Sequence, residues 1–231
     1  MLEQTDGHIR TKVHNKLDYR AEVSKKYDAM PLCCFTFDGK KRTIMKLPIL
    51  VYGQPVLRKT CEKVDMSAPE LDRLITDMWE ILRDADGCGL AASQVGSSLQ
   101  LFIVNSRDTF LYMDKQERAQ YFEGDTGIQE TFINAEILAR DDERMHSEEE
   151  GCLSLPGMSE RVKRPWSITV HYFDRERKEH TRTFRGYTAR VIQHEYDHTL
   201  GKLYIDRLDS LRRNLIANKL KKFAAGTRRG K

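Results

Sequence analysis

The sequence predicts an α+β fold, with mixed or antiparallel strands around a central helix that carries a metal-binding pattern. One helix precedes the strands and another closes the chain. Three observations support this. Strand-like apolar runs crowd the middle of the chain, at 99–105, 131–138, 166–174 and 179–184. Helical spacing of apolar residues flanks them, at 67–87 on one side and at 187–200 and 206–223 on the other. The 231 residues, 39% apolar and 32% charged, suffice for one sizeable domain with a strongly polar surface.

In order along the chain, residues 1–44 are polar and lack sustained periodicity, so they read as a poorly ordered extension of unknown role. Met45 offers an alternative start. From there LPILVYGQPVLRK reads as a short strand, a turn at Gly53-Gln54-Pro55 and a second extended piece. Ser67 is placed to cap a helix, with Pro69 in its first turn. Leu71, Leu74, Ile75, Met78, Ile81 and Leu82 then mark its apolar face, and Asp86-Gly87 ends it. LQLFIVN reads as a buried strand. Residues 107–130, polar and holding Gly124 and Gly127, read as an insertion or long loop. TFINAEIL is a strand, and WSITVHYFD with EHTRTF forms a hairpin. YTARVIQHEYDHTL is a helix stopped at Gly201. The last helix carries Leu208, Leu211, Leu215 and Ile216 on one side. The expected organisation is an extension over 1–44, a catalytic domain over 45–210, and a helix end with a basic tail over 211–231.

Composition narrows the function classes. No apolar run approaches the roughly 18–20 residues that span a bilayer. The opening MLEQTDGHIR lacks a secretory signal's apolar stretch, and five cysteines form no disulfide framework. The expectation is a cytoplasmic protein with no membrane partner. The net charge of +4 is mild, but residues 207–231 hold nine basic side chains against Asp209 alone. That run reads as a solvated helix face with a tail, or as a contact for a polyanion such as ribosomal RNA.

The chemistry concentrates at His194-Glu195-Tyr196-Asp197-His198. On a helix, residues four apart share one face, so two imidazoles can hold one ion while the Glu between them reaches its bound water. A third protein ligand is required. The position six residues after His198 is Tyr204, not a usual ligand, and no Glu follows Glu195. Asp206 and Asp209 look like residues opening the last helix. Upstream candidates are Cys61, Cys88, Cys152, His146, His171 and His180. Cys152 stands out because Gly151 beside it permits close approach of another element. A second glycine-rich stretch, Gly87-Cys88-Gly89-Leu90-Ala91-Ala92-Ser93-Gln94, reads as a tight turn that places an amide donor at Gln94.

Taken together, residues 87–94, Glu150-Gly151-Cys152-Leu153-Ser154 and Gln193–His198 occur in the order and rough spacing of the bacterial-type peptide deformylase family. The resemblance covers about residues 45–210. It implies that Cys152, His194 and His198 bind a divalent metal, with Fe2+ the physiological ion and Zn2+, Ni2+ or Co2+ able to replace it. It implies that Glu195 is the general acid/base, and that Gln94 and the Leu153 backbone N–H hold the developing oxyanion. Gly89 would contact the substrate backbone. Tyr187, Arg190 and Val191 would line the methionine pocket, with Arg190 at its mouth. Asp197 and Arg164 match a supporting ion pair that fixes the helix against the Cys segment. The implied activity is hydrolysis of the formyl group from N-formylmethionyl nascent peptides.

The chain departs from the family pattern in four places. Cys88 stands where Ile or Val is usual, and Ser93 where Pro is common; the stretch 107–130 is long, and residues 1–44 have no counterpart. The rival readings are a metallopeptidase, which would complete its ligand set with His, Glu or Asp, and an idle binding module whose basic C-terminal helix docks on the ribosome.

Overall fold

The protein is described here by a computed structural model, over residues 47–229. The chain divides into units Met1–Ile44 and Met45–Lys231, and everything below concerns the second. The expected extension over 1–44 and the alternative start at Met45 lie outside the described residues.

The fold is α+β, as the alternation of patterns predicts. A five-stranded antiparallel sheet has the order β1 (Gly89–Ala91), β2 (Leu101–Asn105), β3 (Gln129–Arg140), β6 (Ser167–Phe173), β7 (Glu179–Arg185). A separate two-stranded sheet pairs β4 (Met145–Gly151) with β5 (Ser159–Pro165), in register from Met145↔Pro165 to Gly151↔Ser159. Helix α1 (Leu71–Asp84) covers one face of the larger sheet. The helix carrying the metal pattern, α4 (Gly186–Thr199), covers the other. This explains why β2 reads as a continuous apolar run. Phe102 and Val104 face α4 while Leu101 and Ile103 face α1, so both faces need apolar side chains.

Several elements differ from expectation. Residues 47–58 form no strand; Pro55–Arg58 is a single 3₁₀ turn with Pro55 in its first turn. Ser67 does not cap α1. Its N–H and hydroxyl both bond Asp65, and the helix starts four residues later. Residues 107–130 are not a loop throughout, because they hold α2 (Arg107–Tyr112) and α3 (Lys115–Phe122). The cap of α3 is a reciprocal pair: Asp114 accepts from the Gln116 and Glu117 N–H groups, and Glu117 accepts from the Asp114 N–H.

The last helix, α5 (Ser210–Arg229), follows a 3₁₀ turn at Tyr204–Arg207. Its inward stripe is Ile216, Leu220 and Phe223, which pack with Leu155, Met158, Val162 and Leu203 beside Cys152. Leu211 and Leu215, expected on the packed side, are 71% and 66% exposed. Leu208 and Ile216 of the expected stripe are buried, and the packed side continues through Leu220 and Phe223 instead. No helix among the described residues is long and apolar enough to cross a membrane.

Candidate metal centre

Helix α4 sets the site. Tyr187, Val191, His194 and His198 recur at intervals of four, three and four residues, so they share one face. Cys152 comes from the other side of the molecule, just past the end of β4. The ligand atoms of Cys152, His194 and His198 lie within 4.8 Å of one another, the one such potential metal-holding group among the described residues. Cys152 Sγ is 3.3 Å from His198 Nε2. His194 Nδ1 is held at 3.1 Å by Glu150, which leaves Nε2 for an ion. Burial alone would raise the Cys152 thiol, but His198 and His194 beside it pull it well below its ordinary value. A thiolate with two imidazoles fits a divalent transition metal.

The other upstream candidates do different work. His171 pairs with Glu179 and His180 with Asp174 in the β6–β7 hairpin. His146 stacks on Trp166 at 4.2 Å. Cys61 is held protonated, its thiol pushed up to about 11 by burial. The two downstream carboxylates are also engaged. Asp206 pairs with Arg58, and Asp209 accepts from the Arg212 N–H. Among the described residues no carboxylate completes the two-histidine set, and the sulfur of Cys152 is placed to do so.

Around the three ligand atoms sit the remaining groups. Glu195 is 4% exposed, its Oε2 has no partner among the described residues, and burial pushes its carboxyl up to about 7. Gly89 lies against it. A Cβ added there would come 2.5 Å from Glu195 Oε1, so only glycine lets β1 pass so close. Gln94 is oriented by its own turn. The Ala91 N–H donates to Gln94 Oε1 at 2.8 Å. That turns Nε2 toward Ser154 Oγ at 3.2 Å and Cys152 Sγ at 3.6 Å. The Leu153 N–H has no hydrogen-bond partner among the described residues and follows Cys152 directly.

A buried ion network lies behind the ligands. Arg164 is fully buried on β5. It donates to Glu150 at 2.6 and 2.8 Å and to Asp197 at 2.8 Å. Arg207 donates twice to Asp197 at 2.6 Å. Desolvation works against both carboxylates, yet His194 and Arg164 hold Glu150, and Arg207 and Arg164 hold Asp197, below the usual carboxylate range. Arg164 and Asp197 are thus in contact, as the resemblance implies. Arg190 is not at a pocket mouth. It is 8% exposed and donates to Glu150, the Val162 carbonyl and the His146 carbonyl, tying α4 to the β4–β5 hairpin. Three residues after Tyr187 and four before His194, it lies on the flank of their face, where it shares Glu150 with His194.

Sequence reasoning did not find Glu150, Ser154 or Arg207. Glu150 is hidden in the run Glu148-Glu149-Glu150, where nothing marks the one that turns inward. The available signal was its position two residues before Cys152.

A family model described as Polypeptide deformylase matches residues 46–214. A peptide deformylase of Cytophaga hutchinsonii is 40% identical over 185 residues, covering 79% of this chain and 92% of the relative. One of Flavobacterium psychrophilum is 42% identical over 188 residues, covering 80% and 94%. The crystal structure of a peptide deformylase from Legionella pneumophila superposes with a TM-score of 0.62 at 36% identity, over 78% of this chain and 96% of that one.

Proposed function

Because the chain belongs to the polypeptide deformylase family, we propose the residues by which it performs that family's reaction. It is a metal-dependent hydrolase that removes the formyl group from the N-terminal formylmethionine of newly made polypeptides and releases formate. The observation that carries the assignment of residues is the convergence of Cys152, His194 and His198, with Glu195 and Gly89 against them.

Cys152, His194 and His198 hold the ion, and Glu150 fixes the His194 tautomer. A divalent ion bound there would supply a Lewis acid that lowers the pKa of water at the site. Glu195 takes the proton of the attacking water and returns it to the departing amine. A carboxyl group raised by burial suits both transfers. Gln94 Nε2 and the Leu153 N–H donate to the formyl oxygen as negative charge builds on it. Gln94 needs no reorganisation, because the Ala91 N–H already sets its amide. Gly89 offers its backbone to the peptide, and the Val191–Tyr187 face of α4 receives the methionine side chain.

The S,N,N donor set and the family favour Fe2+ as the resident ion, with Zn2+, Ni2+ or Co2+ able to substitute. The setting is cytoplasmic. The ribosome is a partner through α5, supported by its basic residues and by Leu211 and Leu215 exposed beside them. Anaerobically purified protein should release formate from formyl-Met-Ala-Ser, and Glu195→Gln should lose that activity while keeping its metal. Absence of formate release from metal-loaded wild type would overturn the reading. Deletion after Phe223 should weaken ribosome binding, and unchanged affinity would remove the ribosome from the account.

A further inference from the structure

The segment 107–130 folds against Cys88. The two meet at one place. Tyr187 OH donates to Cys88 Sγ at 3.0 Å, and Cys88 Sγ lies 3.4 Å from Thr109 Oγ1 on α2. Tyr187 is in the first turn of α4, seven residues before His194 on the same face. At 1.5 Å per residue that is about 10 Å from the metal ligands. Val191 lies between them. The facing wall is β1 and the residue before it, with Cys88 next to Gly89 and Gly89 against Glu195. Cys88, Tyr187 and Thr109 are each partly exposed, and Cys88 and Tyr187 pack on the edge of the core.

The outer side of this triad is rigid. Phe122 of α3 packs on the Tyr187 ring, with centroids 5.5 Å apart. The last turn of α3 is clamped to the start of α4. Gly186 has φ +57°, and a Cβ added there would come 2.1 Å from the Tyr121 carbonyl oxygen. Glu123 accepts from the Trp166 indole N–H and from Arg144. Helices α2 and α3 are therefore a fixed buttress. A phenol anchored by its hydroxyl and backed by a ring cannot swing aside, whereas an aliphatic side chain in that position has no polar handle to hold it.

We propose that Thr109, acting through Cys88 and Tyr187, sets the length of the pocket that takes the side chain of the formylated residue. It is a specificity-determining residue supplied by the 107–130 segment. The inference rests on the deformylase reading of the same groove.

The test compares kcat/KM for formyl-Met-Ala-Ser and formyl-Phe-Ala-Ser in wild type, Thr109→Val, Thr109→Ser and Tyr187→Phe, each with metal content measured. Thr109→Val keeps shape and removes the hydroxyl; Thr109→Ser keeps the hydroxyl. The Met-to-Phe ratio falls about tenfold in Thr109→Val and Tyr187→Phe, mostly through KM, and stays within about twofold of wild type in Thr109→Ser. Calorimetric binding of the products Met-Ala-Ser and Phe-Ala-Ser shows the same shift without turnover. Ratios within about twofold of wild type in both Thr109→Val and Tyr187→Phe overturn the role of Thr109 and leave the deformylase reading standing. A wild type that releases no formate from formyl-Met-Ala-Ser overturns both.

Discussion

Replacing Glu150 with Gln tests the network behind the metal ligands. The carboxylate is 5% exposed and accepts from Arg164 twice, from Arg190 and from His194. Glutamine keeps the volume and one acceptor oxygen but removes the charge. Asp197 then faces Arg164 and Arg207, and Arg190 loses its carboxylate. Removing one partner of a buried ion pair costs about 3–5 kcal/mol, because the remaining charge stays desolvated. For a domain of this size each kcal/mol moves the melting midpoint by about 2–4 °C, so the expected fall is roughly 10 °C. The amide is also a weaker acceptor for the His194 N–H, and loss of such a partner lowers metal affinity about 10- to 100-fold. Differential scanning calorimetry reads the first effect and chelator competition the second. Arg190→Met is the control: it leaves the Glu150–His194 bond in place, so the midpoint falls while metal affinity holds. A midpoint within about 2 °C of wild type in Glu150→Gln, with metal affinity unaltered, would refute the reasoning.

Other perturbations separate ligand, geometry and surface. Cys152→Ala should abolish stoichiometric metal, as measured by elemental analysis; full retention would transfer the third ligand elsewhere. Gly89→Ala places a methyl group 2.5 Å from Glu195 Oε1, so activity should drop about 100-fold through kcat, a loss of about 2.7 kcal/mol, with the fold preserved by circular dichroism. Asp174 is held below its ordinary pKa: burial opposes this, but His180 and the Lys178 N–H outweigh it. A depressed folded pKa contributes stability above the unfolded carboxylate value near 4 and loses it as pH falls through the folded value. The gap in melting midpoint between wild type and Asp174→Asn should therefore narrow from pH 6 to pH 3, and a gap constant with pH would remove Asp174 from the acid limb.

Much of the architecture was legible because burial wrote a period into the chain. Leu71, Ile75, Met78 and Leu82 mark α1, and the apolar run 101–104 marks a strand covered on both faces. The hairpin β4–β5 was not legible, for a physical reason. Its inward residues include Glu150, Glu160 and Arg164, which are tolerated inside because Glu150 pairs with Arg164 and Glu160 with Arg212 of α5. Charged residues on a buried face erase the apolar alternation that identifies a strand. Helix α3 was legible in principle, since Asp114 and Glu117 form a capping box, but its Lys-Gln-Glu-Arg composition hid it inside a polar stretch. The site was legible where spacing on one helix fixes geometry, as for His194 and His198. It was illegible for Glu150 and Arg190, whose roles depend on how β4 approaches α4. Arg190 shows the limit plainly: helical spacing places it near Val191 but cannot say that it turns to a hairpin some forty residues upstream.

The cluster of Leu155, Met158 and Val162 beside Cys152 is covered by Leu203, Ile216, Leu220 and Phe223. Synthesis runs from the N-terminus, and segments emerge in that order. The sulfur-bearing loop thus leaves the translation machinery some fifty to seventy residues ahead of the apolar side chains that cover it. A chain truncated before residue 216 would hold both imidazoles yet lack Ile216, Leu220 and Phe223, the apolar cover beside the thiolate.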